Sequence, residues 1–142
     1  MSKNLIILAA GMSSRMKNPA DAALNAEQLK DVQLKPKAMI AVGENQRPIM
    51  DYLLNNASKA GYIEVVIVIN EKDSFTREYY ANNEPGGLNI SFAVQAIPKG
   101  RTKPLGTADA LLQGLKARPE LLGQKFTACN SDSLYSVNVL KK

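Results

Sequence analysis

The chain contains no histidine. That absence excludes Ser-His-Asp and Cys-His nucleophile pairs, His-ligated zinc and imidazole pH switches as the basis of any chemistry. A single cysteine, Cys129, leaves no intrachain disulfide and no CxxC pair. With no cation beside it in sequence, Cys129 is expected to be a small core residue, and a lone thiol accords with a reducing compartment. Long apolar runs are lacking too. Leu5–Ala10 and Val65–Ile69 fall far short of the ~20 residues of a membrane span. Leu5–Ala10 is also shorter than a secretory apolar region of about 7–15 residues and runs straight into a glycine. Lys and Arg outnumber Asp and Glu by 18 to 13 but never cluster into a basic arm. A net charge of +5 therefore points to a small anionic ligand served by a few placed cations. The expectation is a cytoplasmic protein with no nucleic-acid and no membrane partner.

What is present suits one domain. The 142 residues are 45% apolar, and a chain of this size buries about two-thirds of its unfolded surface. Asn4–Leu8 is a continuous apolar run, as expected of a strand buried on both faces. Pro19–Val32 reads as a short helix or a loop, and Ala38–Val42 as a short extended segment ending at Gly43. Pro48 opens a helix with Met50, Leu53, Leu54, Ala57 and Ala60 at helical spacing, closed by Gly61. Ile63–Ile69 is a second buried strand. A helix capped by Asp73 or Ser74 runs to about Asn82, before Pro85-Gly86-Gly87. Leu88, Ile90, Phe92 and Val94 alternate as in a strand. Thr107 is placed to cap a helix with Ala108, Leu111, Leu112 and Leu115 as its apolar stripe. Gln124–Cys129 reads as the last strand, and Leu134, Val137 and Leu140 as a helix beginning.

Strands alternating with helices give an α/β fold with an open, mostly parallel sheet. Ligands of such sheets sit at the carboxyl ends of the strands. That rule selects Ala9–Arg15, Gln95 with the loop after it, and Asn130–Asp132. In the first of these, Gly11 and small residues let backbone N–H groups approach a phosphate. Ser13 and Ser14 add donors, and Arg15 adds a planar fork. The three-glycine dinucleotide pattern and the Gly-Lys-Ser/Thr phosphate loop are both absent. Lys35-Pro36-Lys37 sets two cations around a rigid residue. In the segment from Gly100 to Thr107, Gly106 stands at a close-approach position, while Arg101 or Lys103 reaches toward a phosphate. Asp132, at the end of an apolar strand, suits Mg²⁺, which takes one or two carboxylates plus phosphates and waters. Read singly, each of these segments is as well explained as a turn, a solvated basic patch or a helix cap.

Together and in this order, the residues resemble the sugar-phosphate nucleotidyltransferases. The resemblance rests on Leu8-Ala9-Ala10-Gly11 through Arg15-Met16, on Lys35-Pro36-Lys37-Ala38-Met39 and on Pro48-Ile49-Met50. It continues through Val65–Ile69, Gly106-Thr107-Ala108-Asp109-Ala110-Leu111 and Asn130-Ser131-Asp132. It implies a Rossmann-like, mostly parallel or mixed sheet with helices on both faces. It also implies transfer of an NMP from an NTP to a sugar 1-phosphate, with release of pyrophosphate and with Mg²⁺ as cofactor. By position, Leu8, Ala9, Ala10, Gly11, Met12, Ser13 and Ser14 wrap the nucleotide, and Arg15 holds the triphosphate. Lys37 neutralises charge near the α-phosphate. Gln95 and the backbone around Ala9, Gly106 and Thr107 read the base, and Asp132 holds the metal. Cytidylyltransferases of molybdopterin or phosphocholine type, which act on non-sugar acceptors, resemble the first loop equally. In-line phosphoryl transfer needs positioning and charge neutralisation, which a chain without histidine can supply.

The resemblance further implies that residues 1–142 are the N-terminal nucleotide-binding part of such a domain, with the acceptor half missing. The chain alone is then expected to be either an active transferase half or a nucleotide-binding remnant without catalysis. An incomplete last helix would leave apolar surface exposed, so self-association into a homo-oligomer is expected.

Overall fold

A computed structural model describes residues 3–11 and 36–142. Ten helices and strands follow in order: β1 (Asn4–Ala9), β2 (Ala41–Val42), β3 (Arg47–Pro48), α1 (Ile49–Ala60), β4 (Glu64–Asn70), α2 (Phe75–Asn82), β5 (Asn89–Gln95), α3 (Thr107–Ala117), β6 (Thr127–Asn130) and α4 (Val137–Leu140). Short 3₁₀ turns lie at Lys37–Met39, Pro85–Gly87 and Pro119–Leu121. The reading of Pro19–Val32 as helix or loop lies outside the described residues, as does Lys35.

Four strands form one parallel sheet in the order β5-β4-β1-β6. The apolar runs explain why: β1 and β4 are covered on both faces, which alternating sequences could not tolerate. Leu5, Ile7, Ala9, Val65, Ile67 and Ile69 pack with α1 on one face. Ile6, Ala10, Val66, Val68 and Ala93 pack with Ala110 of α3 on the other. The chain builds outward from β1 to β4 and β5, then returns to pair β6 with the opposite side of β1. Strand order therefore reverses between β1 and β6, the place where open α/β sheets leave a crevice.

The first long helix follows its sequence signals. Pro48 precedes α1, Leu53 and Leu54 are fully buried, and Gly61 closes it at φ 100° with its N–H on the Ala57 and Ser58 carbonyls. Full burial of each leucine contributes about 1.5–3 kcal/mol. In α2 the cap comes from Asp73, whose carboxylate accepts from the Thr76 N–H at 3.0 Å and the Thr76 hydroxyl at 2.6 Å. Asp51 of α1 is buried and accepts from Tyr79 and Tyr80, both at 2.8 Å, tying α1 to α2.

Elsewhere the structure departs from the periodicity. The expected stripe of α3 is rotated: Ala110 and Gly114 meet the sheet, Leu111 and Leu115 flank them, and Leu112 is 47% exposed. The reason is close approach. A Cβ on Gly114 would lie 3.2 Å from Val68 Cγ2 and 3.3 Å from Ile6 Cγ2, so the smallest residues set the helix–sheet distance. Gly106 is the N-cap and Thr107 the first helical residue, which corrects the expected cap. Ala38–Val42 is not extended throughout. Its first residues form the turn Lys37–Met39, which buries Ala38 and Met39, and only Ala41–Val42 pairs, with β3. In β5 the expected alternation fails at Val94, which is exposed because β5 is the outer strand, while Ala93 and Gln95 are buried. Cys129 is partly buried against the α1-side core, and burial pushes its thiol up to about 12. At the chain's end Leu140 is buried, its carbonyl accepting from the Tyr62 hydroxyl at 2.9 Å, whereas Leu134 and Val139 are exposed. Among the described residues no helix is long and apolar enough to cross a membrane.

Two outcomes follow. Gly114→Leu is expected to lower stability by roughly 1–3 kcal/mol through overpacking of Ile6 and Val68, read by denaturant unfolding. The Asp51 cluster gives a pH dependence. Burial first, then the bond to Asp51, pushes Tyr79 up to about 12, and Tyr80 is raised by the same causes. The unfolded chain ionises these phenols near their ordinary value of 10.0, while the fold keeps them protonated. The Tyr79 share of this stability is full below pH 10 and lost as pH rises through about 12. Tyr79→Phe is expected to flatten that alkaline decline in unfolding midpoints taken against pH.

Candidate functional site

The carboxyl ends of β1, β5 and β6 open into one cleft of about 660 Å³. Leu8, Ala9, Ala10 and Gly11 form its floor where β1 ends. Lys37 enters from the turn between Pro36 and Ala38, and Lys103, Gly106 and Thr107 from the approach to α3. Gln95 contributes from the end of β5, and Asp132 with Asn130 and Ser131 from the end of β6. Leu8, Ala9, Ala10, Gly11, Lys37, Gln95, Gly106, Thr107 and Asp132, all singled out by sequence, thus line one cavity. Met12, Ser13, Ser14 and Arg15 lie outside the described residues. Of the two cations weighed in the β5–α3 loop, Lys103 lines the cleft and Arg101 does not.

Backbone and amide bonds fix these walls. The Ser131 N–H donates to the Leu8 carbonyl at 3.1 Å, joining the β6 exit to β1. Asn70, buried at the end of β4, donates from Nδ2 to the Ala10 carbonyl at 3.2 Å, while its Oδ1 accepts from the Lys72 N–H at 3.0 Å. Gln95, only 2% exposed, does the same for the opposite wall. Its Nε2 donates to the Leu105 carbonyl at 2.6 Å and to Asp109 Oδ2 at 2.9 Å, with the Gly106 carbonyl at 3.3 Å. The other Asp109 oxygen accepts from Gln113 Nε2 at 3.2 Å.

Asn70 and Asp109 were not among the sequence candidates. Asn70 had a usable signal, a polar residue closing the apolar run Val65–Ile69 at a carboxyl end. Asp109 had none of its own, because an acid in the first turn of a helix is ordinary dipole chemistry.

The glycines discriminate between packing and an open site. Of nine, six adopt positive φ and Gly114 is hemmed in by the sheet. Gly11 and Gly106 have neither reason: no positive φ, and no described atom within 4 Å of a Cβ built on either. Both line the cleft. Their missing side chains keep space open in the cavity itself.

The electrostatics are mixed, with Lys37 and Lys103 lining the same cleft as Asp132. Among the described residues no three acidic, Cys or His side chains cluster as a metal cage. The exposed Asp132 carboxylate instead fits a hard ion that takes its remaining oxygens from a bound phosphate and water.

The family described as nucleotidyl transferase matches residues 26–141. The D-glycero-alpha-D-manno-heptose 1-phosphate guanylyltransferase of Campylobacter jejuni is 24% identical over 136 residues, covering 96% of this chain and 50% of that protein. HddC from Yersinia pseudotuberculosis, complexed with GMP-PN, superposes with a TM-score of 0.61 at 19% identity, over 91% of this chain and 47% of that one. The UTP-bound UGPase from Acinetobacter baumannii gives 0.67 at 19% identity, over 93% and 46%. These structural likenesses establish the shared α/β fold. The chain spans about half the length of the relatives it matches.

Asn70→Leu is expected to strand the Ala10 carbonyl and cost about 1–3 kcal/mol in denaturant unfolding.

Proposed function

As the chain belongs to the nucleotidyl transferase family, we propose that its cleft is the nucleotide site of an enzyme that joins an NMP to a sugar 1-phosphate. In that reaction a phosphate oxygen of the acceptor attacks the α-phosphorus of the NTP. The bond to the β-phosphate breaks, and pyrophosphate leaves. The observation that carries this reading is the pair Gly11 and Gly106, which open space in the cleft that neither backbone conformation nor packing against the described residues requires. Relatives named for guanylyl transfer and for UTP support a guanine or uracil nucleotide.

Roles follow from position. The β1 exit from Leu8 to Gly11 lets backbone N–H groups approach phosphate oxygens. Arg15, with Met12, Ser13 and Ser14, extends that grip by resemblance alone. Lys37 places a cation where negative charge gathers during the in-line displacement. Gly106 and Thr107 border the base, beside Gln95. Asp132 is the residue that would hold Mg²⁺, whose contribution when bound is to neutralise the phosphate oxygens it shares. The sugar 1-phosphate belongs to this proposal through the family and through the heptose 1-phosphate enzyme.

The test is calorimetric titration of the chain with GTP, UTP, CTP and ATP in the presence of Mg²⁺. One nucleotide is expected to bind, weakened about tenfold by Lys37→Ala, in line with loss of a charge-assisted contact. Gly106→Asn keeps good N-cap chemistry and is expected to leave the unfolding midpoint unchanged while removing binding. Failure of a folded chain to bind any of the four overturns the reading.

A further inference from the structure

At the peptide between Ala10 and Gly11 the chain leaves β1 and enters the cleft. The β1–β4 register ends just before it, at Ala9 opposite Ile69. Among the described residues no loop N–H donates to the Ala10 carbonyl. Its partner is the Asn70 side chain, whose Nδ2 donates at 3.2 Å. The other end of that carboxamide fixes which way it lies. Oδ1 accepts from the Lys72 N–H at 3.0 Å, so the nitrogen is the atom that faces the carbonyl. The turn beneath is closed by the Asp73 N–H on the Asn70 carbonyl at 3.0 Å, and Asn70 itself is only 7% exposed. A buried, doubly held amide at the end of β4 thus sets the direction of one carbonyl in the neighbouring loop.

We propose that Asn70 is a positioning residue for the nucleotide: by drawing the Ala10 carbonyl toward β4 it turns the Gly11 N–H into the cleft, where that N–H donates to an oxygen of the bound nucleotide. This rests on the nucleotide reading above and deepens it. Among the described residues every peptide bond is trans, and across a trans peptide the C=O and the following N–H point in opposite directions. Ala10 and Gly11 line the cleft, and Asn70 does not. A carbonyl held on the Asn70 side therefore leaves the N–H of the same peptide on the cleft side. Without the amide, the carbonyl is released to turn over and set its lone pairs against the oxygens of an anionic ligand. Gly11 contributes by having no side chain, since no described atom lies within 4 Å of a Cβ built there and the N–H stays unscreened. Asn70 acts through this peptide and does not touch the nucleotide.

The experiment separates orientation from stability. The full chain, Asn70→Leu and Asn70→Asp are titrated calorimetrically, with Mg²⁺, against whichever of GTP, UTP, CTP and ATP the parent binds. Both substitutions remove the donor, the first without adding charge and the second with the acceptor for the Lys72 N–H kept. Each folded variant is expected to bind about tenfold or more weakly, in line with loss of a hydrogen bond to a charged group. Isotopic labelling of the glycine nitrogens then reads the peptide by NMR. In the parent, nucleotide is expected to move the Gly11 N–H resonance downfield. In the variants at saturating nucleotide that shift is lost, while the Gly106 resonance still responds. A merely structural role would leave the Gly11 shift intact in the bound protein. If Asn70→Leu does not fold, the Gly11 resonance of Asn70→Asp carries the test, since charge repulsion alone does not turn a peptide. Affinity of the folded variants within about threefold of the parent, or weakening by Asn70→Asp but not by folded Asn70→Leu, overturns this proposal and leaves the nucleotide site standing. So does a Gly11 shift that survives in the variants or is absent from the parent. Absence of any nucleotide binding by the parent overturns both.

Discussion

Every other element is arranged around β1, which hydrogen-bonds in parallel to β4 on one side and β6 on the other. A strand so placed has no free edge and no polar face, so its six residues must be apolar throughout, and they are except at the first. That single constraint fixes the two layers of helices, since each face of β1 needs its own cover. It also fixes the crevice, because a central strand with neighbours added in opposite directions leaves a gap between the loops that diverge from it.

The walls of that gap are made by a simple substitution in the strand pattern. On the α3 face the rows run Ile6–Leu8–Ala10, Val66–Val68–Asn70 and Ala93–Gln95. Asn70 and Gln95 are register partners and stand where the next apolar residue would be. Two buried carboxamides therefore replace two hydrophobes at the sheet's edge, and each spends its nitrogen on a loop carbonyl. Buried amides of this kind cost free energy unless they are paired, and here the loops take up both nitrogens. The last row of the core is at the same time the scaffold of the cleft.

Much of this was legible in the residues. Continuous apolar runs located β1 and β4, Pro48 and Gly61 bounded α1, and the carboxyl-end rule chose the segments that line the cleft. What escaped was set by tertiary distance. The buried stripe of α3 departs from the leucine periodicity because contact with Ile6 and Val68 admits only Ala110 and Gly114. The β5 alternation broke at Val94 because an outer strand has less to bury. Lys37–Met39 curls where an extended segment was expected, since the turn brings Ala38 and Met39 into the core. Asp109 stands in the sequence only as part of the Gly106–Leu111 segment, because its bond to Gln95 is made by the fold.

The β1–β6 pairing also has a kinetic side. Leu5 aligns with Thr127 across nearly the whole chain, whereas β4 and β5 join neighbours much nearer in sequence. Closing the longest loop carries the greatest entropic cost and comes late in forming a parallel sheet. β6 is also the shorter partner, four residues against seven in β4. The side of the cleft that bears Asp132 is thus the last to be assembled and the first that a local opening would release. A molecule bridging both sides would draw the strand home, coupling occupancy of the cleft to completion of the sheet.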